Sequence, residues 1–260
     1  MFLTEQFEDQ LATSWLGRSN FYFSELDSTN SYAKRMSRVD SLHGTLVIAD
    51  SQTKGRGQYE RAWESESECN LMFSLIFEPT NQHRLTILTL SCALAVADVC
   101  SDYAKTSFDI KWPNDVLIDG KKLCGLLTEA VFNGNVLDRV IVGIGININQ
   151  REFEAELSDS AISLAQITDK EYSREQILAR ILTKIEYYYR LWETREIELV
   201  RTINKNMIGY GQWAKIFVNN DLREGTFKFL GVNEHGALVV LNKDLEVDTF
   251  SYEQIRVQID

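Results

Sequence analysis

Residues 52–63 read QTKGRGQYERAW, and they set Lys54, Arg56 and Arg61 on a stretch punctuated by Gly55 and Gly57, in a chain of formal net charge −11. Glycine gives up more backbone freedom on folding than any other residue, so ordering such a loop requires a compensating interaction. Glycines also let backbone amides approach an anion, and arginine offers a forked donor matched to carboxylate or phosphate oxygens. The chemistry suggested is capture of one small anion, although a surface turn with solvated charges has the same composition.

A second stretch, KWPNDVLIDGKKLCG at 111–125, points the same way. Asn114 and Asp115 follow a rigid Trp-Pro and are hard-oxygen groups suited to a magnesium ion carried with a nucleotide. Lys111 and Lys122 add positive charge for transferring phosphates. Singly, Asn-Asp reads as a turn, Lys111 as a solvated strand end and Lys122 as a hairpin charge; their combination at this spacing favours a site. In VGIGININ (142–149), Gly143 and Gly145 interrupt a β-branched run. Such glycines mark either a bulge or the close approach of a ligand or another backbone. DSTN (27–30) either caps a helix or adds its polar groups to a pocket at the helix start.

The elements that must position these groups follow from pattern. FYFSEL (21–26), TLVIAD (45–50) and NLMFSLIFEP (70–79) read as strands, and 27–38 as a helix capped by Ser28 or Thr29. Leu85, Leu88, Cys92, Val96 and Val99 recur at helical spacing and predict an amphipathic helix from Arg84 to Tyr103. FDIKW, a hairpin folded at Asp119-Gly120 and a strand after Asn133-Gly134-Asn135 predict an antiparallel meander. A long helix starts at Ser173, with Ser173 and Gln176 spaced as a capping box and Ile177, Ile181, Ile185, Tyr188 and Trp192 on one face. Past Tyr210 short strands separated by turns predict a small barrel. The fold class is therefore α+β, a mixed and largely antiparallel sheet with helices, divided into a domain over 1–209 and a β domain over 210–260.

At 260 residues and 44% hydrophobic content, the chain can bury a core without staples. Cys69, Cys92, Cys100 and Cys124 form no CxxC pair and are expected to be reduced and buried. No run of about 18 consecutive apolar residues is present, and the acidic start MFLTEQFEDQ does not suit a signal peptide, so a cytoplasmic location with no membrane partner is expected. A sequence pI of about 4.9 argues against nucleic acid as a partner.

LDSTN, QTKGRG followed by RAW, KWPND with KKLCGLL downstream, and VGIGIN, in this order, closely resemble the biotin protein ligases, over roughly residues 20–260. The resemblance implies a catalytic domain related to class II aminoacyl-tRNA synthetases and lipoate ligases, followed by an SH3-like domain. About twenty residues precede the first matched strand, too few for the family's N-terminal winged helix-turn-helix, so the monofunctional type is expected. The activity implied is activation of biotin by ATP with magnesium to biotinyl-5′-AMP, then transfer to a lysine of a biotin carboxyl carrier protein.

By resemblance, Ser28, Thr29, Asn30, Gln52, Gly55, Gly57, Gln58, Gly125 and Gly143 surround biotin, with Arg56 on its carboxylate and Lys122 beside the bond being formed. Arg56, Gln58, Arg61, Trp63, Lys111, Asn114, Asp115, Lys122 and Asn147 form the ATP set, with Arg56, Lys122 and Lys111 catalytic and Asp115 and Asn114 toward magnesium. Gln58 stands where the family often has Arg, followed by Tyr59 and Glu60 where Arg-Gly is common. A lipoate or octanoate ligase or transferase is the related alternative, the transferase kind needing a thiol such as Cys124. A nucleotide- or RNA-binding protein is the non-enzymatic one, although acidic residues outnumber Lys215, Arg223, Lys228, Lys243 and Arg256 in the last fifty positions. No Ser-His or Cys-His nucleophile is evident among His43, His83 and His235, and exposed sheet edges suit a homodimer.

Overall fold

Three strands rich in aromatic and aliphatic residues in the N-terminal third and a four-stranded meander beyond them assemble one seven-stranded sheet. In the computed structural model, which describes residues 1–37, 41–58, 61–79, 84–218, 221–251 and 255–258, its strands are β1 (Asn20–Leu26), β2 (Leu46–Gln52), β3 (Leu71–Phe77), β4 (Asp109–Lys111), β5 (Asp115–Ile118), β6 (Lys121–Asn133) and β7 (Val136–Ile146). The order is β1-β2-β3-β7-β6-β5-β4. Only β1 and β2 run parallel; every other neighbour is antiparallel, as the Asp-Gly and Asn-Gly turns require. Tyr59, Glu60, His83 and the expected helix end at Arg38 lie outside the described residues.

The helices cover both faces. α1 (Thr4–Gln10), a short helix the sequence pattern did not reveal, buries Phe7 against α5 (Arg174–Thr194). α2 (Thr29–Arg35) starts at Ser28, whose hydroxyl accepts from Ser31 N, and rests on β2, β3 and β7. α3 (Leu85–Ala104) departs from expectation, because it is not amphipathic: Ile87 through Ala97 is continuously buried. A helix sandwiched between a sheet and α5 has no wet face to pattern, and small Ala and Ser side chains let both neighbours approach. α3 is long and apolar enough to cross a membrane by length and composition, yet it is a core element here.

α4 (Leu164–Thr168) and α6 (Glu196–Lys205) complete the set. The reciprocal capping box lies at α4, between Ser163 and Gln166, and not at α5. Ser173 does cap α5 by accepting from Gln176 N at 3.2 Å, but its hydroxyl proton goes to Glu175 Oε2 at 2.8 Å.

The last strands, β8 (Trp213–Val218), β9 (Asp221–Leu222), β10 (Phe227–Val232), β11 (Leu238–Leu241), β12 (Val247–Phe250) and β13 (Ile255–Gln258), form a second, fully antiparallel sheet, two strands richer than the sequence pattern suggested. It is tied to the first sheet through Trp112 Nε1, which donates to Gly236 O at 3.1 Å. On α6, the Asn204 amide exchanges two hydrogen bonds with the backbone of Val232.

Asp50, at 2% exposure near the end of β2, is the charged centre of the core. Its Oδ1 accepts from Arg174 Nη1 at 2.7 Å, and its Oδ2 accepts from Tyr22 OH at 2.6 Å and Phe2 N at 3.1 Å. Burial and the bond to Asp50 push the Tyr22 hydroxyl up to about 12. Removing one member of a buried pair strands the other charge in low dielectric, so Asp50→Ala is expected to cost about 3–5 kcal/mol by urea denaturation.

Candidate active site

One cavity of about 840 Å³ opens between the first sheet, the loop after β2 and the second sheet. Its floor is a glycine-rich patch of β6 and β7. Gly125 pairs directly with Gly145, and Leu127 pairs with Gly143. β7 keeps unbroken register with β3 and β6 through both of its glycines, so the bulge reading fails. Within the chain, what approaches these glycines closely is side chains and not another backbone. A Cβ on Gly143 would lie 2.3 Å from Asn30 Oδ1, and one on Gly145 would lie 2.5 Å from the Trp63 ring.

The start of α2 supplies one wall. Thr29 donates to Gln52 Oε1 from its backbone at 2.8 Å and from its hydroxyl at 3.2 Å. Ser74 Oγ sits 2.7 Å from Thr29 Oγ1 and 2.6 Å from Asn30 Oδ1. The Asn30 amide nitrogen donates to Leu127 O at 3.2 Å and Glu129 Oε2 at 2.8 Å. Every polar atom here has a partner, which fixes the rotamers of a largely buried set.

The basic loop closes on itself. Gly57 N donates to Arg61 O at 2.7 Å and Trp63 N to Gly55 O at 3.1 Å, with Arg56 and Ala62 bridged as an antiparallel pair. A side chain on Gly55 would strike Trp63 O at 2.6 Å, so this glycine shapes the loop and does not itself line the cavity. Arg56 donates through Nη2 to Ser31 Oγ at 3.2 Å and Glu129 Oε2 at 3.3 Å. Burial alone would raise Glu129; bonds from Lys34 and Asn30 and the charges of Lys34 and Arg56 outweigh it and lower its pKa.

Opposite, Lys122 Nζ stands 2.7 Å from Asp115 Oδ1 and 5.8 Å from the centre of the Trp63 ring. The pair is not aligned as a hydrogen bond, so the buried Asp115 Oδ1 keeps an open acceptor position. Asn114 is partly committed, its amide nitrogen donating to Leu126 O at 2.6 Å. Asn147 is 4% exposed and spends its amide on Lys122 O and Ile162 O, fastening the end of β7 to the segment that flanks Lys122. Lys111 and Arg61 are exposed at the rim.

Apart from Gly55, every residue the sequence singled out as a site candidate lines this cavity: Ser28, Thr29, Asn30, Gln52, Arg56, Gly57, Gln58, Arg61, Trp63, Lys111, Asn114, Asp115, Lys122, Gly125, Gly143 and Asn147. Residues it passed over also line it, among them Phe73, Leu157 and Ala161, and Phe229 and Leu238 from the second sheet. Glu129 was missed as well, although its spacing from Gly125 and Leu127 at alternate positions of β6 was a usable signal.

Cys124 is fully buried, and burial holds its thiol well above the usual range, so a thiolate nucleophile is not available there. Cys69 corrects the expectation of four buried thiols, being only partly buried.

The profile of the biotin/lipoate A/B protein ligase family matches residues 22–147. A bifunctional ligase/repressor BirA of Bacillus subtilis is 36% identical over 236 residues, spanning 88% of this chain and 71% of that protein. A biotin--[acetyl-CoA-carboxylase] ligase of Mycobacterium tuberculosis is 28% identical over 198 residues, spanning 73% of this chain and 71% of its own. Among solved structures, the biotin protein ligase from Aquifex aeolicus in complex with biotin and ATP superposes with a TM-score of 0.79 at 32% identity, covering 93% of this chain and all of that one.

The glycine-rich floor makes a prediction about packing. Asn30 is held by three hydrogen bonds, so it cannot retreat without breaking one, and Gly143→Ala should cost about 1–3 kcal/mol in chemical denaturation. At Gly125 the first obstacle is the flexible end of Lys122, 2.8 Å away, so Gly125→Ala should cost distinctly less in the same assay.

Proposed function

The chain belongs to the biotin/lipoate A/B protein ligase family, and from that premise we propose that it is an ATP-dependent biotin protein ligase. It activates biotin as biotinyl-5′-AMP and passes the biotinyl group to a lysine of a carboxylase's biotin carboxyl carrier protein. The observation that carries this reading is one cavity in which four cations, Arg56, Arg61, Lys111 and Lys122, face a satisfied polar wall across a floor rich in glycine.

In the first step a biotin carboxylate oxygen bonds to the α-phosphorus of ATP while the bond to the β-phosphate oxygen breaks, and pyrophosphate leaves. Negative charge builds on phosphate oxygens, so fixed positive groups lower the barrier more than any nucleophile of the protein would. Lys122 stands where that charge develops, oriented by Asp115, and Arg56 serves the carboxylate. Thr29, Asn30 and Gln52 present polar groups to the ureido ring, and Gln58 and Arg61 close over the nucleotide side with Trp63. Asp115 Oδ1, with Asn114 beside it, would hold a magnesium ion brought on the phosphates, a fit supported by its open acceptor position, and such an ion supplies charge neutralisation. In the second step the carrier lysine's amine attacks the acyl carbon, the amide forms, AMP departs and the amine loses its proton.

Residues 1–209 are then the catalytic domain and residues 210–260 a module that completes the cavity through Phe229 and Leu238, a reading supported by their place in its lining.

Biotin-dependent exchange of labelled pyrophosphate into ATP tests the activity. Wild-type protein should exchange with biotin and not with lipoate, and Lys122→Ala should fall about 100-fold or more, the usual worth of a preorganised charge-stabilising donor. Exchange with lipoate alone would overturn the substrate assignment. Cys124→Ala should retain full exchange. Gln58→Arg should slow release of biotinyl-5′-AMP in a quench-flow measurement, and an unchanged release rate would dismiss a role for Gln58 in retention.

A further inference from the structure

Arg56 is already occupied. A guanidinium presents two forked faces, Nη1 with Nη2 and Nε with Nη2, and both contain Nη2. In this structure Nη2 donates to Ser31 Oγ and Glu129 Oε2, so neither fork is whole, and a bidentate grip on a carboxylate requires one of those contacts to break. Glu129 is the partner best able to let go. Its Oε1 accepts from Lys34 Nζ at 2.5 Å and its Oε2 from Asn30 at 2.8 Å, whereas the Arg56 contact is longer at 3.3 Å. Released from Arg56, this partly buried carboxylate is still paired and hydrogen-bonded, which avoids the penalty of an orphaned charge.

We propose that Glu129 is the resting counter-ion of Arg56 and that an anionic ligand wins Arg56 by displacing it; the inference rests on the reading of this cavity as the site of biotin activation. The charges balance on both sides of the exchange. At rest, one carboxylate serves two cations, Lys34 and Arg56. With a carboxylate ligand present, Glu129 keeps Lys34 and the ligand takes Arg56, giving two neutral pairs. A neutral ligand of the same shape brings no charge for the exchange and leaves the latch closed. Glu129 is thus a specificity residue that acts through Arg56, and because Arg56 rides on the basic loop, the same contact holds the empty loop against β6 and α2.

Two substitutions should move affinity in opposite directions. Glu129→Gln keeps an acceptor for Asn30 but removes the competing charge. Lys34→Met leaves Glu129, among the described residues, with Arg56 as its cation and tightens the latch. By isothermal titration calorimetry, E129Q should bind biotin roughly 2- to 5-fold more tightly and K34M should bind it more weakly by a similar factor, the scale of a partly exposed ion pair. The neutral carboxamide of biotin should bind both variants as it binds the wild type. A merely structural role for Glu129 would shift both ligands together, and that result, or weaker biotin binding by E129Q, would overturn the proposal. A readout without ligand separates its failure from failure of the proposed activity: tryptic cleavage after Arg56 in the empty protein should accelerate in E129Q by roughly 2- to 5-fold, in proportion to the lost pair. Unchanged cleavage would overturn the latch even in a protein that exchanges pyrophosphate normally, whereas absent exchange in a wild type showing the expected cleavage difference would remove only the biotin reading.

Discussion

The structure depends on three glycines, Gly125, Gly143 and Gly145, clustered on neighbouring strands of one sheet. Where Gly125 meets Gly145 and Leu127 meets Gly143, two side chains occupy space that any other residue would fill: Asn30 from the start of α2 and Trp63 from the end of the basic loop. Interior strand glycines weaken a sheet by their unfolded-state entropy and by what they fail to pack. Here the missing packing is supplied from above by Asn30 and Trp63, so the helix start and the loop are seated at a fixed height over the floor. The cavity is the space left between them.

That seating brings like charges together, and the protein answers with carboxylates placed on the sheet. Arg56 and Lys34 share Glu129, and Lys122 has Asp115. Among the described residues each arrangement leaves something open: Asp115 Oδ1 accepts no hydrogen bond, and Arg56 donates through Nη2 alone. A site for anionic ligands needs positive groups that are held but not saturated, since full neutralisation at rest would make every ligand compete for its contacts. Deeper in the core, the Asp50 and Arg174 pair links β2 just before the loop to α5, and Arg174 Nη1 also reaches Asn70 O just beyond the loop. The roots of the basic loop are therefore fixed by a buried ion pair.

The second sheet contributes differently. Its polar ties, Trp112 to Gly236 and Asn204 to Val232, are few and specific, while Phe229 and Leu238 present apolar surface to the cavity. It closes an edge of the pocket with bulk, and the cations come from the larger sheet and its loops.

Much of this was legible in sequence because the signals are local. Asp119-Gly120 and Asn133-Gly134 fix the hairpins by backbone conformation, and Ser28 and Ser173 mark helix starts by their hydroxyls. The glycine-flanked Arg56 and the KWPND stretch name their chemistry by residue type and spacing. What failed was non-local. The residues of α3 are apolar enough for all-round burial, but that a sheet covers one side and α5 the other is not encoded in them. The short α1 takes its stability from packing Phe7 on a helix more than 160 positions away. The same holds for the site: sequence alone determined which groups could bind an anion, because charge and donor geometry belong to single residues. Only the tertiary structure decided that Gly143 lies against Asn30, that Gly55 shapes the loop from outside the cavity, and that Glu129 holds Arg56. Strand register and helix seating bring residues tens of positions apart to within 3.5 Å, and no local pattern carries that distance.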